Sequence, residues 1–288
     1  MFGRESLRKS SRRLLLVLLI LAGCAAPSRN KDPLDIVLPS QWIGNIDQAG
    51  FNEPSGITFY PPSETLFVVG DEGDICEIQL DGVLIRQKRI RDADFEGITF
   101  NPATGLLYVA VEGEESIIEI EPTDLSVRRE FTIDRTYNGT TVLASGGQGI
   151  EAITFVPLPD HLEGGLFYVA NQSFTLDTDD DVSAIVEVEV PLNSTSFEHQ
   201  AARITKLFRL DVIDLSGLHY DVHGDNLYAI SDAANVIMEI TRAGDVLRSY
   251  AFPGDNQEGI TLDNRGFLYI AQDSGGIIKY RWNLREGR

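Results

Sequence analysis

A short motif occurs five times along the chain, and it places an acidic or small polar residue at a fixed position. The copies are Glu53-Pro-Ser-Gly-Ile-Thr-Phe59, Asp94-Phe-Glu-Gly-Ile-Thr-Phe100, Gly149-Ile-Glu-Ala-Ile-Thr-Phe155, Asp214-Leu-Ser-Gly-Leu-His-Tyr220 and Asn256-Gln-Glu-Gly-Ile-Thr-Leu262. The residue before the small one is Ser55, Glu96, Glu151, Ser216 or Glu258, and two places earlier stand Glu53, Asp94, Gly149, Asp214 and Asn256. Carboxylates brought together without His or Cys form an oxygen-only donor set, which favours a hard cation such as Ca²⁺ over zinc.

A second column of acids follows the motif. Aligned on Phe67, Tyr108, Tyr168, Tyr228 and Tyr269, it contains Asp71, Glu112, Gln172, Asp232 and Asp273. Carboxylates facing one another would repel at neutral pH unless something neutralised them. The predicted metal ligands are therefore Glu96, Glu151 and Glu258 in the first place, and Asp71, Glu112, Asp232 and Asp273 in the second. The competing interpretation is that an acid before glycine in a turn only accepts backbone hydrogen bonds.

The spacing of the motif predicts the elements that position these acids. The small residues Gly56, Gly97, Ala152, Gly217 and Gly259 are separated by 41, 55, 65 and 42 positions. A period near forty is typical of repeat architectures. Each repeat divides into short strands rich in Ile, Val, Phe and Tyr, with turn residues between them. The sequence thus predicts an all-β, five-bladed β-propeller with four-stranded antiparallel blades.

The last repeat lacks its outer strand, and a segment before the first repeat can supply it. We predict that residues 41–46 form this strand and close the ring, which removes exposed sheet edges. In a propeller the first strand of each blade lines the central channel and the second runs back beside it. The start of the first strand and the end of the second therefore open on one face, where the acidic columns converge.

The amino terminus has the features of an export signal. A basic segment precedes the apolar run Leu14–Leu21, which is too short to span a bilayer. Leu21-Ala22-Gly23-Cys24 resembles a bacterial lipobox, so we predict a signal peptide over 1–23, lipidation of Cys24, a flexible tether over 24–39 and a propeller over 40–288. By resemblance to enterobacterial lipoproteins, Ala25 after the cysteine favours the outer membrane, facing the periplasm or the surface. The predicted localisation is the bacterial cell envelope, with the lipid chains holding the protein at the membrane.

Composition restricts the partners further. The formal net charge is −20, which disfavours nucleic acid and suits divalent cations. Besides Cys24 the only thiol is Cys76, so an internal disulfide is excluded once Cys24 carries lipid, and Cys76 is predicted to lie in the core. We expect a monomer that could bind a protein or a small molecule at the channel mouth.

The repeated motif resembles that of a known family. Glu53-Pro-Ser-Gly-Ile, Asp94-Phe-Glu-Gly-Ile, Asp214-Leu-Ser-Gly-Leu and Gln257-Glu-Gly-Ile, spread over residues 40–282, resemble the SdiA-regulated (YjiK-like) family of exported bacterial proteins, which is distantly similar to NHL-repeat propellers. The resemblance implies a five-bladed propeller with a bound calcium ion, in a structural or a catalytic role. The chain is also similar to phytase-like esterase and lactonase propellers, in which a metal at the channel mouth performs the chemistry. Ala152 and Gln172 make the third repeat depart from the pattern.

Two functions are consistent with these residues. The first is an extracytoplasmic binding or scaffold module that holds calcium. The second is a metal-dependent hydrolase of lactones or phosphoesters, in which a carboxylate such as Glu96 or Glu151 acts as base. An open coordination position reached by substrate would distinguish the second from the first.

Overall fold

A computed structural model describes residues 40–143, 146–176, 183–195, 200–252, 254 and 256–282. The predicted signal peptide and tether, with Cys24, lie outside these residues. The described chain is built of strands, without a helix. The described residues therefore contain no helix that is long and apolar enough to cross a membrane.

Strands follow one another closely along the chain. In the first half they are β1 (Ser40–Asn45), β2 (Pro54–Tyr60), β3 (Thr65–Gly70), β4 (Asp74–Gln79), β5 (Leu84–Arg89), β6 (Asp94–Asn101), β7 (Leu106–Glu112), β8 (Ser116–Glu121), β9 (Ser126–Asp134), β10 (Thr136–Tyr137) and β11 (Thr140–Thr141). In the second half they are β12 (Ile150–Pro157), β13 (Gly165–Asn171), β14 (Ala184–Glu189), β15 (Gln200–Arg209), β16 (Leu215–Asp221), β17 (Asn226–Ser231), β18 (Val236–Thr241), β19 (Val246–Ala251), β20 (Gln257–Leu262), β21 (Phe267–Gln272) and β22 (Gly276–Trp282). The all-β prediction is confirmed.

The strands pair as antiparallel meanders. Three sheets have four strands each, in the orders β2-β3-β4-β5, β16-β17-β18-β19 and β1-β22-β21-β20. The fourth sheet has eight strands and consists of two such meanders, β6 to β9 and β12 to β15, joined by parallel pairing of β9 with β15. In the sheet that contains β20, the strand preceding the first repeat pairs with β22, from Ser40↔Trp282 to Asn45↔Ile278. These meanders are the blades of a β-propeller.

The inner strands β2, β6, β12, β16 and β20 lie side by side, and the small residue of the motif permits this. A Cβ on Gly97 would lie 2.6 Å from the amide nitrogen of Ile153, and one on Gly259 would lie 2.6 Å from that of Ile57. The motif threonine joins neighbouring strands as well, because Thr99 Oγ1 accepts a hydrogen bond from the Phe155 N–H at 3.0 Å. Equivalent bonds join Phe59 to Thr261 and Tyr220 to Thr154.

The blades have two ends, which we call the mouth face and the far face. At the mouth face, the inner strands begin and the second strands end. At the far face lie the turns from first to second strand, the turns from third to fourth strand, and the start of each outer strand. The core fills the space between adjacent sheets, where for example Phe67 and Val69 pack against Phe95 and Leu107. Cys76 is buried in this core, as predicted.

Candidate metal centre at the channel mouth

A β-bulge begins each inner strand and contains the motif residue that precedes the small one. The register with the second strand shifts between Pro54 and Gly56, and equivalent shifts occur between Phe95 and Ile98, Ile150 and Ala152, Leu215 and Gly217, and Gln257 and Ile260. Bulges redirect side chains and are common beside functional sites. Here the bulged residues are Ser55, Glu96, Glu151, Ser216 and Glu258.

Two of these glutamates line a small cavity on the channel axis. Glu96 and Glu151 are 9% and 7% exposed. Together with Ser216 and the backbone around the motif glycines, they enclose about 10 Å³. That volume accommodates about one water molecule. The channel at this level can therefore hold a small ion but not an organic substrate, which would have to bind above it.

Three carboxylates from two neighbouring blades come close enough to share one ion. Asp71 follows β3, whereas Asp94 and Glu96 lie on β6, and one oxygen from each lies within 4.8 Å of the others. Asp71 Oδ1 accepts a short hydrogen bond from Ser55 Oγ. Asp94 Oδ1 is buried and meets no hydrogen-bond donor among the described residues. Asp94 was absent from the predicted ligands, although its column of the motif contains it.

Glu112 and Glu151 form a carboxyl pair beside this group. Glu112 Oε1 accepts a hydrogen bond from the Gly149 N–H at 2.7 Å, and Glu112 lies close enough to Glu151 for its charge to act on it. Burial, and then the charge of Glu112, raises the pKa of Glu151 to about 10. Two carboxyls in contact must share a proton when no cation neutralises them.

The pKa values of other acids at the mouth are raised as well. Burial raises the pKa of Glu96 well above its ordinary range, with Glu151 as the next cause. Burial, followed by the charge of Asp232, raises the pKa of Glu258 to about 9, and burial raises that of Asp71 to about 6. The mouth thus concentrates carboxyls of which several hold a proton at neutral pH unless a cation binds.

The remaining predicted ligands lie outside the three-carboxylate group. Asp232 Oδ1 accepts a hydrogen bond from the Gln257 N–H at 2.7 Å, which is the backbone-binding role of the competing interpretation. Asp273 meets Asn256 Nδ2 at 3.5 Å. The pKa of Glu258 is influenced by Asp232, Asp214, Asp273 and Asp71. The structure therefore groups Asp71, Asp94 and Glu96, with Glu112 and Glu151 beside them, and this group adjoins Glu258 and Asp273 through Asp71.

Buried glutamates inside the blades provide a direct comparison, and they were not among the residues predicted from the sequence. Each is central in a third strand and forms an ion pair with the fourth strand: Glu77–Arg86 at 2.6 Å, Glu119–Arg129 at 2.6 Å, Glu187–Lys206 at 2.7 Å and Glu239–Arg248 at 3.4 Å. Their signal is a recurrent Ile-x-Glu-Ile or Ile-x-Glu-Val. At the mouth, by contrast, no Lys or Arg of the described ranges lies within ion-pair distance of a set of six acids: Asp71, Asp94, Glu96, Glu112, Glu151 and Glu258.

Comparison with known proteins agrees with the repeated motif and with the fold. The sequence model of the SdiA-regulated family matches residues 41–275. Among solved structures, the chain is similar to glutaminyl cyclase from Myxococcus xanthus, with a TM-score of 0.60 and 13% identity over 87% of this chain and 98% of that one. It is also similar to the β-propeller domain of Cps50 (Swd1) from Myceliophteria thermophila (TM-score 0.47, 11% identity, 85% of this chain and 100% of that one). A streptogramin B lyase matches with a TM-score of 0.47 and 13% identity, over 85% of this chain and 98% of that one. At these identities the similarity concerns the fold.

Proposed function

We propose that this chain, which belongs to the SdiA-regulated family, is a lipid-anchored, calcium-binding β-propeller that serves as an extracytoplasmic binding or scaffold module. The support for calcium is the set of six mouth acids that have no Lys or Arg of the described ranges within ion-pair distance. The observation that carries the calcium site is the contrast between two sets of acids. Those inside the blades pair with Arg or Lys, whereas the six mouth acids named above have no Lys or Arg of the described ranges within ion-pair distance. A divalent cation supplies the missing charge.

The three-carboxylate group fits one calcium ion. Calcium binds oxygen at about 2.3–2.6 Å, so ligands on opposite sides of it are separated by roughly 5 Å. The oxygens of Asp71, Asp94 and Glu96 lie within 4.8 Å of one another. Asp94 contributes a buried oxygen that meets no donor among the described residues, and a cation would satisfy it. Glu112 and Glu151 are the nearest further carboxyls.

Five blades closed by β1 is the architecture that this proposal assumes. It is supported by contacts of β2 with β6, β6 with β12, β12 with β16, β16 with β20 and β20 with β2, which form a circuit. The eight-stranded sheet then counts as two blades whose outer strands touch. The pairing of β1 with β22 supports closure by the amino-terminal strand.

The envelope location rests on the sequence of residues 1–39. We propose that residues 1–23 are removed, that Cys24 is lipidated and that the protein remains at the outer membrane. Mass spectrometry of the mature amino terminus from a bacterial host would show the mass of the acyl chains on Cys24. A Cys24→Ser variant is the control, and it should leave the membrane fraction.

Titration calorimetry with Ca²⁺ tests the metal site. The wild-type protein, freed of metal by chelation, should bind calcium, and a Glu96→Gln/Glu151→Gln double variant should lose at least about tenfold in affinity, because each change removes a charge that faces the ion. Glu72→Gln is the matched control, since Glu72 follows Asp71 in the same turn but points to solvent and pairs with Arg89. Its affinity should equal that of the wild type.

Three results would count against the calcium site. Unchanged affinity in the double variant would place the ion elsewhere. A loss of affinity in Glu72→Gln of the same size would show a general effect of surface charge. Absence of binding in the wild type would leave an acidic propeller that recognises proteins.

A metal-dependent hydrolase is the second candidate, and one feature of the mouth face favours it. The loop after β13 exposes Phe174 and Leu176, each 51% accessible, where other repeats have tight turns. These side chains could contact the apolar part of a substrate above the ion. The raised pKa of Glu151 makes it a proton donor at neutral pH, so its role as base would require a bound cation to keep it ionised. Calcium-dependent hydrolysis of p-nitrophenyl phosphate or dihydrocoumarin, lost in Phe174→Ser/Leu176→Ser, would support this candidate.

A further inference from the structure

Among the described residues, most of the exposed large apolar side chains lie towards one end of the molecule. They are Trp42, Ile43, Val83, Leu84, Ile85, Val127, Leu162, Val222, Val246 and Leu247, whereas Phe174 and Leu176 are the exceptions on the mouth face. Trp42 is 64% exposed, Val222 62% and Leu162 82%. Exposed apolar groups that gather at one end of a molecule mark an interaction surface more often than scattered ones do.

The topology assigns these residues to the far face. Leu162 and Val222 lie in turns from first to second strand, and Val83 lies in a turn from third to fourth strand. The others belong to the first residues of the outer strands β5, β9 and β19, or to β1. Each meander of four strands contributes at least one of them. They are therefore distributed around the ring, as suits contact with an extended flat surface rather than with a compact protein.

The chain also enters the fold at this end. Ser40 begins β1 opposite Trp282, the last residue of β22, and β22 runs from the mouth face to the far face. Sixteen residue steps separate Ser40 from Cys24, and an extended chain covers at most about 3.5 Å per step, or roughly 55 Å. A lipid on Cys24 would therefore be tethered to the end of the molecule that exposes the apolar side chains.

We propose that the far face docks on the phospholipid surface that receives the Cys24 acyl chains, so that the channel mouth points away from the membrane. The docking rests on the proposed lipid anchor. Tryptophan is suited to the membrane interface because its ring combines a large apolar area with one polar N–H.

Charge makes a small contribution on the docking side. Three arginines there are engaged by acids of the same face, in the pairs Arg242–Asp225, Arg265–Glu64 and Arg128–Glu121, and Arg281 lies over the Phe267 ring. The attraction is therefore mainly apolar, and it should persist in salt, which screens exposed charges.

Tryptophan quenching by brominated lipids tests this orientation. The chain has two tryptophans, and Trp282 is only 8% exposed, so the difference between wild type and Trp42→Phe reports Trp42. The full-length acylated protein is reconstituted in vesicles of phosphatidylethanolamine and phosphatidylglycerol, with or without bromine on the acyl chains. In the Trp42→Phe background, Leu247→Trp provides a second far-face probe, and Phe174→Trp provides a mouth-face control.

The expected result is loss of Trp42 and Leu247→Trp emission in the brominated vesicles, at low and at high salt, with Phe174→Trp unaffected. Equal Trp42 emission in both kinds of vesicle, from protein that floats with them, would overturn docking and leave the anchor intact. A second copy of the protein could cover Trp42 instead of lipid. In that case, in detergent without lipid, Trp42 emission would be protected from quenching by acrylamide and the protein would have twice its monomer mass, which would overturn docking on the lipid surface. A mature protein without acyl mass that fails to float would overturn anchor and docking together.

Discussion

For individual residues, what distinguishes the acids of this protein is their partners and not their burial. Glu119 and Glu151 are both buried, yet Glu119 faces Arg129 and the hydroxyl of Tyr108, whereas Glu151 faces Glu112. A buried carboxylate is stable only when it is paired and hydrogen-bonded. Glu151 must therefore hold a proton or receive a cation. When calcium is withheld, the solution pH decides whether Glu151 keeps its proton.

Without calcium, the stability of the protein should depend on pH. In chelator, we expect the unfolding free energy to fall as pH rises from about 5 towards 9, because the pKa of Glu151 is about 10 and that of Glu258 about 9 in the folded protein, against an ordinary 4.5. Below pH 4.5 both groups are protonated in both states and impose no cost; above it the unfolded chain releases the protons first. Each group contributes up to about 1.4 kcal/mol per pH unit over this window.

Urea unfolding at several pH values measures this dependence. Glu151→Gln should reduce the slope and stabilise the protein in chelator at high pH, whereas added calcium should restore stability to the wild type. A slope that is identical in wild type and Glu151→Gln would show that the Glu151 carboxyl is ionised in the folded protein without a cation.

Among the strands, every inner strand begins with a bulge and every complete blade except that of β20 carries a buried glutamate in its third strand. The bulge directs one side chain of the motif into the channel, and the motif glycine allows the strands to approach. The blade glutamate joins the third strand to an arginine or lysine of the fourth, and at Tyr108, Tyr168 and Tyr250 it accepts a phenolic hydrogen bond. The blades are thus held internally by ion pairs, and they converge on a site that lacks them.

The adjacent residues Arg128 and Arg129 allow an exposed ion pair to be compared with a buried one. Arg129→Met should destabilise the protein by about 3–5 kcal/mol, because it leaves Glu119 buried without a counter-charge. Arg128→Met removes an exposed pair with Glu121 and should cost less than about 1 kcal/mol. Chemical denaturation measures both, and equal effects would refute the structural role assigned to the blade glutamates.

In the molecule as a whole, β1 pairs with a strand that is far away in the sequence, β22. β1 covers the edge of β22, and the residues that follow it contact the neighbouring blade, where the Gln48 N–H donates to the Gly82 carbonyl at 3.2 Å. The same strand exposes Trp42 and continues into the predicted tether. One element would therefore close the ring and orient the propeller on the membrane.

Truncation tests the closing role. A chain that starts at Ser40 should unfold at the same temperature as one that starts at Ala25. A chain that starts at Asp47 should lose roughly 3 kcal/mol or more and aggregate, because ladder hydrogen bonds contribute about 1 kcal/mol each and β22 becomes an exposed edge. Scanning calorimetry and light scattering measure this, and equal stability of all three chains would rule out closure by β1.

Local patterns in the sequence were enough to identify the family, the all-β propeller class and the places in each repeat where acids occur, because a repeated motif and alternating strands can be read in order along the chain. Which acids meet depends on the folded arrangement of the blades. Asp71, Asp94 and Glu96 come together, Asp232 binds the Gln257 backbone instead, and the blade glutamates find their arginines and lysine. The location of most exposed apolar side chains towards one end of the blades is likewise a property of the fold. Distances between repeats depend on the bulges, on the inserts of the third repeat and on the packing of neighbouring blades, and none of these is encoded in the spacing of one motif.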